Sequence, residues 1–314
     1  MRRAEDLITS GRAVARNVAN SDGTYAITSD ECIQYLNDAQ DRMQNLISAQ
    51  KNIAKLFVTE QIITVVQNQA EYVIPDRVLL NKQIEYVEFS ATGSLTDYIR
   101  LEKLNFFNRD TYPTTYPHGY FKRGGSILLQ PTPSTTQGSL RVSYERDLDD
   151  LDVTRARING TPVTTDIDLT HSSGAPTTAN EALFINGNFI CISDANGNVM
   201  LRNGLIDSYD APTDVLTLVA DVDTYLVGSY TLADLADGFL TVGKYTTTYS
   251  KLPDACERYL VHYLAAQLFR KDSSNDYENA LALVADIETD TIKALSAQTG
   301  EIQFTPQLQR YEWW

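Results

Sequence analysis

The sequence predicts a mixed α+β protein, a helical-bundle body with a small β-sheet and an inserted all-β domain of sandwich or barrel type. Three observations carry this. Apolar residues recur at helical spacing near both ends of the 314-residue chain. Short β-branched and aromatic runs lie between Gln61 and Tyr144. From Val153 to Tyr249 the helical period vanishes, and all four Asn-Gly pairs of the chain fall there. The expected segments are 1–152, N-terminal helices and strands; 153–249, the β-rich insertion; 250–300, C-terminal helices; and 301–314, a tail.

The first helix is read from Leu7, Gly11, Val14 and Val18, with Asn20-Ser21-Asp22-Gly23 as its stop. The second opens on Thr28 and Glu31, spaced so that each side chain reaches the other's free backbone N–H. Leu36, Ala39, Met43, Leu46, Gln50, Ile53 and Phe57 then form an a/d stripe. That stripe is a core face of the bundle or a seam between subunits, with Leu36, Met43, Leu46 and Ile53 as its centre. Gln61–Val66 and Tyr72–Ile74 are expected to pair as a hairpin across Gln67-Asn68-Gln69. Strands at Ile84–Phe89, Ser126–Gln130 and Leu140–Tyr144 follow, with an ordered Tyr-Pro loop between the first two.

In the insertion each Asn-Gly pair is expected to supply the two positive-φ residues of a type I′ turn. Strands are read at Ala182–Ile185, Phe189–Ser193, Val199–Arg202, Val215–Val219 and Tyr225–Tyr230. Helix resumes at Leu252-Pro253-Asp254, proline standing near the first position, where its missing N–H is tolerated. Cys256, Tyr259, Tyr263 and Leu264 share one face of it, and Leu281, Val284, Ile287, Thr291 and Ala294 one face of the last helix.

With 43% hydrophobic residues the chain is not a disordered one. No run reaches the roughly 18 apolar residues of a membrane span, and the N-terminus lacks the apolar core of a signal peptide. Lys+Arg 26 against Asp+Glu 41 gives −15, of which residues 151–250 carry −8. That balance argues against tight general binding to nucleic-acid backbones. Arg2, Arg3, Arg12 and Arg16 cluster on the first helix, and Arg12 and Arg16 are expected to pair with acids of a neighbouring element or subunit.

Catalytic and metal-binding patterns are weak. Cys32, Cys191 and Cys256 are too scattered for a disulfide framework or zinc site. Gly119–Ser126 has a P-loop outline, but Gly125 stands where the phosphate-holding lysine belongs, so a turn is expected with Lys122 and Arg123 exposed. Asp194, Asn196 and Asn198 resemble the start of a calcium loop whose twelfth position is Ile206 rather than Glu. Asp221 and Asp223 are read as a carboxylate pair on one strand face, usable by a glycosidase, or as a solvated edge. Cys256 and His262, six apart, are off the spacing that puts two side chains on one helix face. No catalytic residue, metal or cofactor is assigned. Both tryptophans, Trp313 and Trp314, end the chain; the alternatives are an interface anchor and a tail folded onto its own core.

The phrases Tyr116-Pro117-His118-Gly119-Tyr120-Phe121, Leu128-Leu129-Gln130-Pro131-Thr132-Pro133, Val142-Ser143-Tyr144 and Leu252-Pro253-Asp254, in this order of elements, resemble the head-to-tail adaptor (connector) proteins of tailed, especially short-tailed, bacteriophages. The resemblance covers about residues 1–150 and 250–300. It implies a non-enzymatic ring of usually twelve copies in the virion neck, made in the bacterial host cytoplasm, with no membrane involved. The portal would lie above, the tail nozzle and fibres below, and DNA would pass through without specific binding. It implies that residues 301–314, with Gln309, Arg310, Tyr311, Trp313 and Trp314, dock on the portal. A carbohydrate- or host-surface-binding tail module and a carboxylate glycoside hydrolase are the competing readings.

Overall fold

In the computed structural model the described residues are 2–17, 25–50, 53–75, 77–79, 84–94, 96–105, 116–134, 138–170, 182–272 and 276–300. The first helix, α1 (Ala4–Val14), buries Ala4, Leu7, Ile8 and Gly11. It ends before the predicted stop because Arg16 turns into the left-handed region (φ 53). There the Asn17 N–H closes the final turn on the Arg12 carbonyl at 2.9 Å. Helix α2 (Ser29–Ala49) begins on the expected capping box, with both Thr28–Glu31 bonds at 3.2 Å. It stops at Ala49, short of the full stripe. Ile53 and Phe57 belong instead to a 3-10 turn (Ala54–Phe57) and its leading residue, and both remain buried.

The chain forms two compact units, residues 1–47 with 149–314, and residues 48–148. In the first, Pro253 caps a 3-10 turn (Asp254–Cys256) that feeds α3 (Glu257–Lys271), and α4 (Tyr277–Gly300) follows. Helix α4 buries Val284, Ile287, Thr291 and Leu295. The predicted Leu281 and Ala294 are exposed, since the buried stripe rotates by a residue toward Leu295. Gly11 lets α1 approach α3: a β-carbon there would stand 2.7 Å from Leu264 Cδ2.

The same unit contains a closed barrel of β10 (Ala156–Ile158), β11 (Asp166–Thr170), β14 (Val215–Leu218), β13 (Val199–Asp210), β12 (Phe189–Ser193) and β15 (Phe239–Val242), in that order, with β15 pairing back to β10. Closure removes sheet edges. Alternation sorts the faces: Ile167 and Leu169 are buried while Asp166, Asp168 and Thr170 are exposed. Two predicted strands are not strands. Phe184 packs into the barrel core edge-to-face against Tyr209, centroids 5.1 Å apart, and Val222–Tyr225 is a 3-10 turn. The Asn-Gly pairs do not make type I′ turns. Each has a single positive-φ residue, Gly160, Gly187, Gly197 or Asn203. Asn203 lies within β13 at a bulge opposite Cys191, where its side-chain oxygen accepts the Tyr245 N–H at 2.8 Å. A short parallel pair, β9 (Asp150–Leu151) with β16 (Thr246–Thr247), completes this unit's strands among the described residues.

The second unit has two four-stranded sheets. One orders β1 (Val58–Thr64), β8 (Ser139–Glu145), β3 (Ile84–Ser90) and β4 (Ile99–Arg100); the other orders β2 (Glu71–Val73), β7 (Ser126–Gln130), β6 (Gly119–Arg123) and β5 (Glu102–Lys103). Their inner faces share a core containing Tyr72, Val87, Tyr120, Ile127, Leu129 and Val142. The predicted β1–β2 hairpin is replaced by a crossover, because β1 pairs with β8 and β2 with β7. Its connection is held from outside the pair. Asn68 (φ 62) donates its N–H to the Pro133 carbonyl at 2.9 Å, and the Tyr72 hydroxyl accepts the Val66 N–H at 3.0 Å. The Gly124-Gly125 turn joins β6 to β7 with Lys122 and Arg123 exposed, as expected.

Candidate interaction surfaces

The α2 stripe faces inward. Leu36, Met43 and Ile53 are buried and Leu46 is half-buried. Polar residues share that burial: Gln40 donates to the Asp149 carbonyl at 2.9 Å and accepts from Ser250 Oγ at 3.1 Å. Arg12 is likewise held within the chain, donating to the Ile27 carbonyl at 2.8 Å under the Tyr25 ring at 3.7 Å. Arg16 is exposed. Arg2 pairs with Glu257 at 3.1 Å, and Arg3 lies over the Phe239 ring at 3.8 Å with a bond to the Tyr249 hydroxyl at 3.0 Å. Gln309, Arg310, Tyr311, Trp313 and Trp314 lie outside the described residues.

The residues that chemical readings would need are otherwise engaged. Burial pushes the Cys256 thiol up to about 12, and burial, then the neighbouring Arg258, lowers His262. A neutral thiol gives no activated nucleophile. Asp221 precedes and Asp223 lies in a 3-10 turn, so the predicted strand-face carboxylate pair does not form. The Asp194 carboxylate is taken by its own loop, accepting the Asn196 and Asn198 N–H groups at 2.8 and 2.7 Å. Burial raises its pKa, but bonds from Asn198 and Asn196 outweigh this and hold it below the ordinary value. Among the described residues no cluster of His, Cys, Asp or Glu could hold a metal ion.

The strongest polar feature escaped sequence reasoning. Asp152, buried just before the barrel's first strand, accepts Arg155 Nη2 at 2.6 Å, the Val153 N–H at 2.9 Å and the β15 Val242 N–H at 2.9 Å. Arg155 reaches on to Asp30 at the start of α2, at 2.7 Å. Asp152 thus ties the barrel's incoming and outgoing strands together, and Arg155 ties both to the helices. Nearby, Asp149 pairs with Arg202 of β13 at 3.0 Å. The one local signal was the acidic run Asp147–Asp152, which reads equally as a strand end.

Charge follows the units more sharply than it follows sequence thirds. Residues 48–148 carry eleven basic and ten acidic residues, so the other unit holds −16. On the second unit's polar sheet face Glu88 pairs with its cross-strand neighbour Arg141 at 2.5 Å, and Glu60 of β1 accepts the Tyr86 hydroxyl of β3 at 3.1 Å across the intervening β8.

A family model described as SU10 adaptor protein matches residues 3–173, more than half of the chain, from α1 through β11. No curated protein matches the chain.

Proposed function

The chain belongs to the SU10 adaptor protein family, phage structural adaptors, and on that premise we propose that it is a ring subunit of the virion neck joining the portal to the tail nozzle and its fibres. The family match is the observation that carries this reading. In it twelve copies surround the DNA channel, and residues 301–314 dock on the portal through Gln309, Arg310, Tyr311, Trp313 and Trp314. The exposed Arg16 contacts a neighbouring copy, while Arg12 secures the segment between α1 and α2. Residues 153–249 face the outer rim or tail side of the ring.

The net charge of −15 suits a channel part that lets DNA pass without adhering. Among the described residues no helix is long and apolar enough to cross a membrane.

Light scattering on the chain alone and mixed with its portal tests the proposal. A ring, formed alone or on the portal, is expected; a chain that stays monomeric in the mixture refutes it. Deleting Trp313 and Trp314 is expected to abolish portal binding, and unchanged binding removes the docking role of the tail.

A further inference from the structure

The sheet edges among the described residues are short, with one exception. At the edges of the two four-stranded sheets β4 and β5 have two residues each and β2 has three; β9 and β16 have two each, and the barrel is closed. Short edges and closure guard a sheet against pairing with another chain. β1 has neither guard, and no Lys, Pro or bulge in their place. It runs seven residues, Val-Thr-Glu-Gln-Ile-Ile-Thr, in one unbroken register with β8 from Val58 to Thr64. Its middle, Glu60, Gln61 and Ile62, is exposed, Ile62 by 53%.

The flanking bonds fix which backbone groups point outward. The Phe57 carbonyl accepts the Arg146 N–H at 2.9 Å, and the Val65 N–H donates to the Gly138 carbonyl at 2.8 Å, on the β8 side. Odd-numbered residues therefore face β8, and Val58, Glu60, Ile62 and Thr64 turn their N–H and C=O groups away from it. Among the described residues no backbone bond meets those groups. The segment is self-complementary. Two antiparallel copies centred on Gln61 set Val58 against Thr64 and Glu60 against Ile62, twice each, and exchange about eight N–H···O bonds, two per pair. Sliding the copies by two residues either way loses a pair, and one of those slides sets Glu60 against Glu60, which like charge penalises. In the centred register the Gln61 amides face each other, each able to donate and accept. The unit carrying β1 is also the nearly neutral one, eleven bases against ten acids, so two copies meet there without the repulsion that the −16 of the other unit imposes.

We propose that the outer edge of β1 is a contact between copies of this chain: two copies pair antiparallel through Val58–Thr64 about a twofold axis at Gln61, joining their sheets into one, four strands from each copy. A twofold contact closes at two copies, so it is distinct from the contacts that build a ring and stands independently of the adaptor reading.

The test is light scattering on the full chain alone, over a concentration series into the tens of micromolar. A dimer is expected. Ile62→Glu, which sets like charges opposite each other at two places, is expected to weaken it roughly tenfold, and Ile62→Lys, which meets the second copy's Glu60, to tighten it. Ile62 is exposed, so unfolding midpoints near the parent's assign both changes to the contact. Gln61→Cys, at a closely spaced non-hydrogen-bonded pair, is expected to cross-link the copies under diamide; Thr59→Cys, which lies opposite Ile63, is not. The three native cysteines are buried. A chain that is monomeric throughout the series overturns the proposal. So does a mass, dimeric or larger, that the two Ile62 variants leave alike, or cross-linking at Thr59 as fast as at Gln61.

Discussion

Replacing Arg155 by alanine isolates the clasp at the root of the barrel. The Asp152 and Arg155 side chains are 6% and 13% exposed, so the substitution leaves a carboxylate in a site with little water. Removing one partner of a buried pair typically costs about 3–5 kcal/mol. Here the Val153 and Val242 amides still hold Asp152 at 2.9 Å, which sets the expectation at the lower end, near 3 kcal/mol. Asp152→Ala takes the acceptor from those two part-buried N–H groups and costs a similar amount. In Asp152→Ala alone Arg155 retains Asp30; the double variant loses the Asp152–Arg155 pair only once and leaves no buried carboxylate unpaired, so the losses do not add, and a coupling of at least ~1.5 kcal/mol is expected. Urea unfolding followed by far-UV circular dichroism measures this; tryptophan emission reports only on Trp313 and Trp314. Hydrogen exchange at the Val242 amide supplies a local readout, with protection lost in Asp152→Ala. A cost under 1 kcal/mol for Arg155→Ala, or strict additivity of the two substitutions, refutes the clasp.

Gly197→Ala should destabilise more than Gly160→Ala by urea unfolding. Both sites have positive φ, worth about 1–2 kcal/mol to a side chain, but only at Gly197 does the new β-carbon strike a neighbour, Tyr249 at 2.7 Å. Cys32, Cys191 and Cys256 are all buried, so a disulfide reagent should label none of them in the native chain at pH 8 and all three after unfolding. Asp194 has a folded pKa below its unfolded one, so its contribution is complete above the ordinary Asp value of about 4 and is lost as pH falls through the folded value. The stability gap between the parent and Asp194→Asn is therefore expected to narrow below about pH 4, and a gap constant down to pH 2 contradicts the assignment. Thr28→Ala, which removes one arm of the capping box, should cost about 1 kcal/mol.

What was legible in the residues was local. The Thr28–Glu31 box, the alternation of Leu140, Val142 and Tyr144, and proline ahead of α3 act within a turn or a strand, where neighbouring residues alone set the energetics. The all-β character of the insertion was legible too, because no helical stripe competes with its short apolar runs. Its turn types were not: whether the asparagine or the glycine of a pair takes positive φ depends on packing, as when Asn203 is drawn into a bulge by the Tyr245 amide.

The partner of β1 was equally hidden, since β8 lies far along the chain and only burial of a shared core chooses it over nearby β2. The same holds for the polar groups that matter most. Asp152, Arg155 and Val242 were each ordinary in sequence, and the seam residues Leu36 and Met43 fitted a bundle core as well as a subunit interface. The sequence by itself determined the class of each segment and the acid excess. Tertiary structure decided which strands meet, that the inserted strands close into a barrel, and where the buried charges pair, because those outcomes rest on competition between distant segments for the same desolvated space.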